Sequence, residues 1–163
     1  MLELQRTLAA AVGCYARPEA LDALAAGEAL AIRVAPDELL LLADPDETVQ
    51  RLASVERALA ALDGGGVALD VSGGFAVWRV RGDWPEALAR LCAVAPPEPP
   101  ACLQALFAHV PAKLVVNGDE LLVVVSSVLS HHVHDRILAA CADLHPRELD
   151  AAPLTTGVAG AAA

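Results

Sequence analysis

The sequence predicts an α+β domain: a mostly antiparallel sheet built from repeated strand-strand-helix units, with helices packed on it. Three observations carry the prediction. Apolar, strand-like runs come in pairs joined by tight turns. Single helical stretches with recognisable start and stop residues separate those pairs. The apolar residues, 56% of 163, are small, with aromatics at only 3%, which suits helices lying close on a sheet. A chain of this size and apolar content can bury a core without disulfides or metal.

Taken in order, the segments Leu2 to Val12 and Pro18 to Ala26 are Ala/Leu-rich, and Pro18 suits a first helical turn. Residues 1–26 therefore read as an N-terminal helical arm. The run from Ala29 to Ala35, the turn Pro36-Asp37-Glu38 and the run Leu39 to Leu42 read as a hairpin. Asp44-Pro45-Asp46-Glu47 is a strong helix start, with Asp44 as N-cap. That helix should run to about Leu62 on a stripe of Val49, Leu52, Ala53, Leu59 and Ala60, and Asp63-Gly64-Gly65-Gly66 ends it. A phosphate loop needs the reverse order, glycines after a strand and before a helix, so the triple glycine is a terminator.

Val67 to Val71 and Phe75 to Arg81 flank Ser72-Gly73-Gly74 and read as a second hairpin, with Trp78 on its core face. Gly82-Asp83-Trp84-Pro85-Glu86 opens another helix, buried through Ala87, Leu88, Leu91 and Cys92. The run Pro96 to Pro100 is an extended connector. Strands follow over Cys102 to Val110, Lys113 to Val116 and Glu120 to Val125, the last two joined by the Asn117-Gly118 turn. A final helix from about Val128 to Leu144 presents Leu129, Val133, Ile137, Ala140, Cys141 and Leu144 on one face. The order ββαββαβββα hints at an internal duplication. Residues 27–146 read as a single domain and residues 147–163, rich in Ala, Gly, Thr and Pro, as a disordered C-terminal tail.

The formal charge of −10 repels nucleic acid phosphates and anionic lipid headgroups. Cys14, Cys92, Cys102 and Cys141 form no CxxC and read as reduced core thiols. No apolar run approaches the length of about 20 residues that spans a bilayer. The opening residues lack the basic and long apolar regions of a secretory signal. No nucleic acid partner, no membrane and a cytoplasmic location are therefore expected.

No catalytic centre is expected either. His131 and His134 fall at i and i+3, with Asp135 at i+4, and are weak candidates for a metal site that lacks further ligands; the expectation is no metal. Ser126, Ser127 and Ser130 read as helix caps, since no G-x-S-x-G elbow is present. Asp70, between apolar neighbours on a strand, and Arg79 and Arg81 across the expected hairpin are the candidate ligand-binding residues, able to grip a carboxylate.

Three stretches together carry a resemblance: Ala35-Pro36-Asp37-Glu38-Leu39-Leu40-Leu41-Leu42, then Leu69 through Gly82, then Cys102 through Val125 into the closing helix. In order and spacing they are similar to the gamma subunit of heterotetrameric sarcosine oxidase. The resemblance runs from about Gly27 to Leu144. It departs from that pattern where Leu39 stands for a tryptophan and where Gly82-Asp83-Trp84-Pro85 replaces a Ser-Gly-Pro type turn.

The resemblance implies the folate-binding aminomethyltransferase fold. It also implies a non-catalytic accessory subunit of a flavoenzyme that oxidatively demethylates sarcosine or a related N-methyl amine or imino acid. The cofactors FAD, FMN, NAD and tetrahydrofolate are then expected in the larger alpha and beta flavoprotein partners, with none bound by this chain alone. A small zinc-binding delta subunit is expected beside them. The alternative reading is a free-standing folate-binding domain that uses Asp70, Arg79 and Arg81.

Overall fold

A computed structural model describes residues 1–28 and 30–154. The described strands are β1 (Leu2–Leu8), β2 (Ala10–Tyr15), β3 (Ala31–Ala35), β4 (Glu38–Ala43), β5 (Val67–Asp70), β6 (Phe75–Gly82), β7 (Ala101–Phe107), β8 (Val110–Asn117), β9 (Glu120–Ser126) and β10 (Arg147–Pro153). The helices are α1 (Pro18–Ala25), α2 (Thr48–Leu62), α3 (Trp84–Leu91) and α4 (Ser130–Ala140). They form an α+β fold with two antiparallel-dominated sheets, of orders β10-β1-β6-β9-β8-β7 and β3-β4-β2-β5. The described chain divides into two compact units, one of Met1–Leu8 with Gly73–Ala152, the other of Ala9–Ser72 with Pro153 and Leu154.

The second unit runs β2-α1-β3-β4-α2-β5, a βαββαβ arrangement whose four strands are all antiparallel to their neighbours. Local chemistry starts its helices. Pro18 opens α1, and the Asp44 carboxylate accepts a 2.9 Å bond from the Asp46 main-chain N–H at the 3-10 turn that leads into α2. Leu21 and Leu24 of α1 and Val55 and Leu59 of α2 close over Val12, Cys14, Leu39, Leu41 and Ala68 on one sheet face. Val49, expected on the buried stripe of α2, is instead 81% exposed, because the helix turns the Val55/Leu59 side to the sheet.

The first unit repeats the same order as β6-α3-β8-β9-α4-β10, with two additions: β1 inserted between β10 and β6, and β7 added beside β8. The recurrence read in the sequence is thus a recurrence of βαββαβ. Trp84, Ala87, Leu88 and Leu91 of α3 and Val133, Ile137 and Cys141 of the α4 region pack on Leu2, Leu4, Ala76, Val80, Leu114, Leu121 and Val123. Phe107, fully buried, belongs to the same core.

Several sequence expectations are corrected. The stretch Leu2 to Val12 is two strands, not helix: Leu2 and Leu4 are buried while Glu3 and Gln5 are not, a period of two, and strand pairing overrides the helical propensity of Ala and Leu. The Ser72–Gly74 segment does not close a hairpin, since β5 and β6 lie in different sheets. The β7–β8 turn falls at Ala108 and His109, both with positive φ (52° and 69°), so β8 begins at Val110. Residues Arg147–Pro153, expected in a disordered tail, form a strand of the six-stranded sheet. The rest of that expected tail, residues 155–163, lies outside the described residues.

Gly82 and Gly118 both have positive φ, 74° and 54°, but differ in their surroundings. A Cβ on Gly118 would meet open space, whereas one on Gly82 would collide with the main-chain carbonyl oxygen of Met1, just before the partner strand β1. Gly118→Ala should therefore cost about 1 kcal/mol, the left-handed penalty alone. Gly82→Ala should cost about 3 kcal/mol, because backbone has to move as well. Urea unfolding of the two variants checks the difference.

Candidate functional site

The antiparallel pairing of β1 with β6 sets Arg6 directly opposite Trp78. Residues opposite one another on paired strands share a face, and the Arg6 Cζ lies 5.7 Å from the centre of the indole. Arg6 is half-buried, and its Nη1 donates to the Thr7 and Val77 carbonyls at 3.1 and 2.9 Å. Burial lowers the Arg6 pKa from its usual value.

The first turn of α4 closes the other side. Trp78 Nε1 donates to Ser130 Oγ at 3.2 Å, and the His134 ring lies 5.0 Å from the indole centre, tilted by 30°. Ser130 and His134 stand four residues apart, so one helical face delivers both. The resulting open concavity, of about 490 Å³, is lined by Arg6, Trp78, Ser127, Ser130, His131 and His134.

Both nitrogens of His134 face carboxylates, Nδ1 with Asp135 Oδ1 at 3.1 Å and Nε2 with Glu148 Oε2 of β10 at 2.7 Å. Only the imidazolium can donate from both nitrogens at once. Burial disfavours that charge, but the bonds to Glu148 and Asp135 outweigh it and raise the His134 pKa above 6.5. A ring engaged on both sides has no nitrogen left to take a proton from a serine. His132 is turned away to the Ala108 carbonyl at 2.9 Å. His131 and His134 line one concavity, but no group of three or more His, Cys, Asp or Glu among the described residues is placed to hold a metal ion.

The other candidates carry local partners. Glu120 is buried and lies opposite Arg81 in the β6–β9 register. Its Oε2 is 3.0 Å from Arg81 Nη2 and 3.3 Å from the Nε of buried Arg79. The Arg79 Nε contact is close enough for charge attraction without forming an aligned hydrogen bond. Asp70 belongs to the second unit and accepts from the Ser72 hydroxyl at 2.6 Å and the Ser72 main-chain N–H at 3.0 Å. Those two bonds hold its carboxyl below the usual range. Cys14, Cys92 and Cys141 are buried free thiols, and burial with nearby Glu28 pushes Cys14 up to about 12.

Sequence reasoning misses two contributors to the concavity and its rim, Arg6 in the expected helical arm and Glu148 in the expected tail. Trp78 packs against the core of the first unit, on the face expected of it, and lines the concavity from there. The signal that would have found Arg6 is the two-residue alternation of Leu2-Glu3-Leu4-Gln5.

The fold defines the class: an antiparallel-dominated α+β protein with two βαββαβ units. No family model matches the sequence, and no curated protein matches it. Solved structures do match. The chain is similar to a chain of heterotetrameric sarcosine oxidase from Corynebacterium sp. U-96, determined in complex with pyrrole 2-carboxylate. There the TM-score is 0.71 at 21% identity, covering 91% of this chain and 87% of that one. It is also similar to the glycine cleavage system aminomethyltransferase T from Bartonella henselae, with TM-score 0.62 and 12% identity over 91% of this chain and 47% of that one. A third similarity is to the ligand-free regulatory subunit of aspartate kinase from Thermus thermophilus, with TM-score 0.52 and 14% identity over 86% of this chain and 97% of that one. At these identities the likeness is one of fold.

Two outcomes follow from the charges. Glu120→Gln leaves buried Arg79 without its counter-charge and should cost about 3 kcal/mol in urea unfolding, whereas the double variant Arg79→Met/Glu120→Leu should recover most of that loss. For His134 the folded pKa is raised, so its contribution to stability is fully present below pH 6.5 and fades as pH rises through the folded value. Melting temperatures of the parent and His134→Gln should therefore differ most between about pH 5 and 6.5, where carboxylates stay ionised, and converge in alkaline buffer. A constant gap across that range would contradict the imidazolium assignment.

Proposed function

We propose that this chain is a non-catalytic gamma-type subunit of a multisubunit, sarcosine oxidase-like flavoenzyme that oxidatively demethylates sarcosine or a related N-methyl amine or imino acid. The observation that carries the reading is coverage: the fold matches 87% of one chain of a heterotetrameric enzyme across 91% of its own length. The likeness thus runs along nearly the whole of both chains. In this reading FAD, FMN, NAD and tetrahydrofolate are held by larger alpha and beta flavoprotein subunits, with a small zinc-binding delta subunit beside them. The working compartment is the cytoplasm; no described helix is long and apolar enough to cross a membrane.

Two features of the chain support an accessory role. Its ionisable clusters are engaged with one another: Arg79 and Arg81 with Glu120, Asp70 with Ser72, His134 with Asp135 and Glu148. The edge strand β5 also leaves Val67 and Leu69 about half exposed, at 48% and 50%, beside Tyr15 on the neighbouring strand. An apolar row on an unpaired strand edge is the kind of surface a stable partner covers.

A second reading, a free-standing folate-binding domain, is favoured only by the likeness to the aminomethyltransferase. Thermal shift with tetrahydrofolate separates it, because a binder gains stability with ligand concentration. Co-expression with the alpha, beta and delta subunits of the same genome should give one co-eluting complex with amine oxidase activity. In that complex Val67→Asp/Leu69→Lys should abolish co-elution while leaving the isolated chain's melting temperature within a few degrees of the parent. A chain that stays monomeric beside all three subunits would sink the proposal.

A further inference from the structure

The concavity on the first unit has a chemistry that the accessory role does not use. Besides Arg6, the arginines Arg33, Arg51 and Arg79 are also partly or fully buried. Arg33 is paired with Asp22, Arg51 with Glu28 at 2.9 Å and Arg79 with Glu120 at 3.3 Å. In a chain with ten more negative than positive charges, carboxylate partners are abundant. Arg6 nevertheless has none among the described residues.

Its two hydrogen bonds, to the Thr7 and Val77 carbonyls, both come from Nη1. They fix the plane of the guanidinium and leave the Nε and Nη2 donors for another acceptor. A planar fork held this way matches the two oxygens of a carboxylate.

We propose that the concavity between Arg6, Trp78 and the first turn of α4 binds a small organic monocarboxylate, its carboxylate on Arg6 and its apolar body against Trp78. The Ser130 hydroxyl accepts the indole N–H, and its own proton remains to be donated to the bound anion. Ser127 and His131 complete the rim. A volume of about 490 Å³, with an aromatic wall and a few convergent polar groups, is typical of small-molecule sites.

The charges favour a monoanion. Arg6 and the imidazolium of His134 supply the positive side, but Glu148 and Asp135 stand against His134 at 2.7 and 3.1 Å. A dianion such as phosphate meets those two carboxylates as well as Arg6, whereas a single carboxylate with an apolar body needs only the Arg6 fork.

The probe is benzoate, titrated into the full chain and followed by the indole N–H resonance of Trp78, which Trp78→Phe distinguishes from that of Trp84. A saturable shift is expected. Arg6→Gln should weaken it at least about tenfold, the size of one lost charge-assisted bond, and Arg6→Lys by less, while Arg136→Gln should leave it unchanged. Benzamide, the neutral isostere, should bind at least about tenfold more weakly to the parent chain on the same reasoning, a comparison that does not depend on any variant folding. Inorganic phosphate should not displace benzoate. Absence of a saturable shift, equal binding of benzamide, or displacement by phosphate at comparable concentration would each overturn the monocarboxylate site.

Discussion

The pairing of β1 with β6 is the constraint on which the first unit depends. An interior strand must satisfy main-chain donors and acceptors on both edges, and β1 does so between β10 and β6. That placement sends Leu2 and Leu4 into the core under α3 and α4. It also sets Arg6 opposite Trp78, so the cation–aromatic contact is a consequence of strand register. Shifting β1 by one residue would turn every one of these side chains to the opposite face.

Charge is handled locally in an acidic molecule with few cations. Buried Arg79 and Glu120 neutralise each other with Arg81 at the rim, since an isolated buried charge is far costlier than a paired one. His134 is tied to α4 by its own position and to β10 by Glu148, joining a helix to the edge of its sheet. Arg6 departs from the pattern: a half-buried cation satisfied by carbonyls and an indole face, with donors to spare.

The duplicated βαββαβ order explains how one chain of mostly small apolar residues makes two cores. Each copy places two helices on one face of its sheet, so that leucine, valine and alanine at short distance fill the space that aromatics fill elsewhere. The first copy is enlarged by β1 and β7, and the concavity joins one of those additions, through Arg6 of β1, to the repeated frame, through Trp78 of β6 and the first turn of α4.

What the sequence determined by itself lies where short-range chemistry decides: the Asp44-Pro45 start before α2, the Asn117-Gly118 turn between β8 and β9, the β3–β4 hairpin and the helical periodicity of Val133, Ile137 and Cys141. Each depends on residues a few positions apart, whose dihedral preferences and capping bonds act before any distant contact forms. Only the tertiary structure decided which strands became neighbours. The segment Leu2 to Val12 became two strands, β5 and β6 went to different sheets, and residues from Arg147 became a strand rather than a tail. Main-chain hydrogen-bonding groups are alike in every strand, so the choice of partner follows from which arrangement buries the apolar faces together. That choice, made between residues as distant as Arg6, Trp78 and Glu148, is what assembles the concavity and its rim.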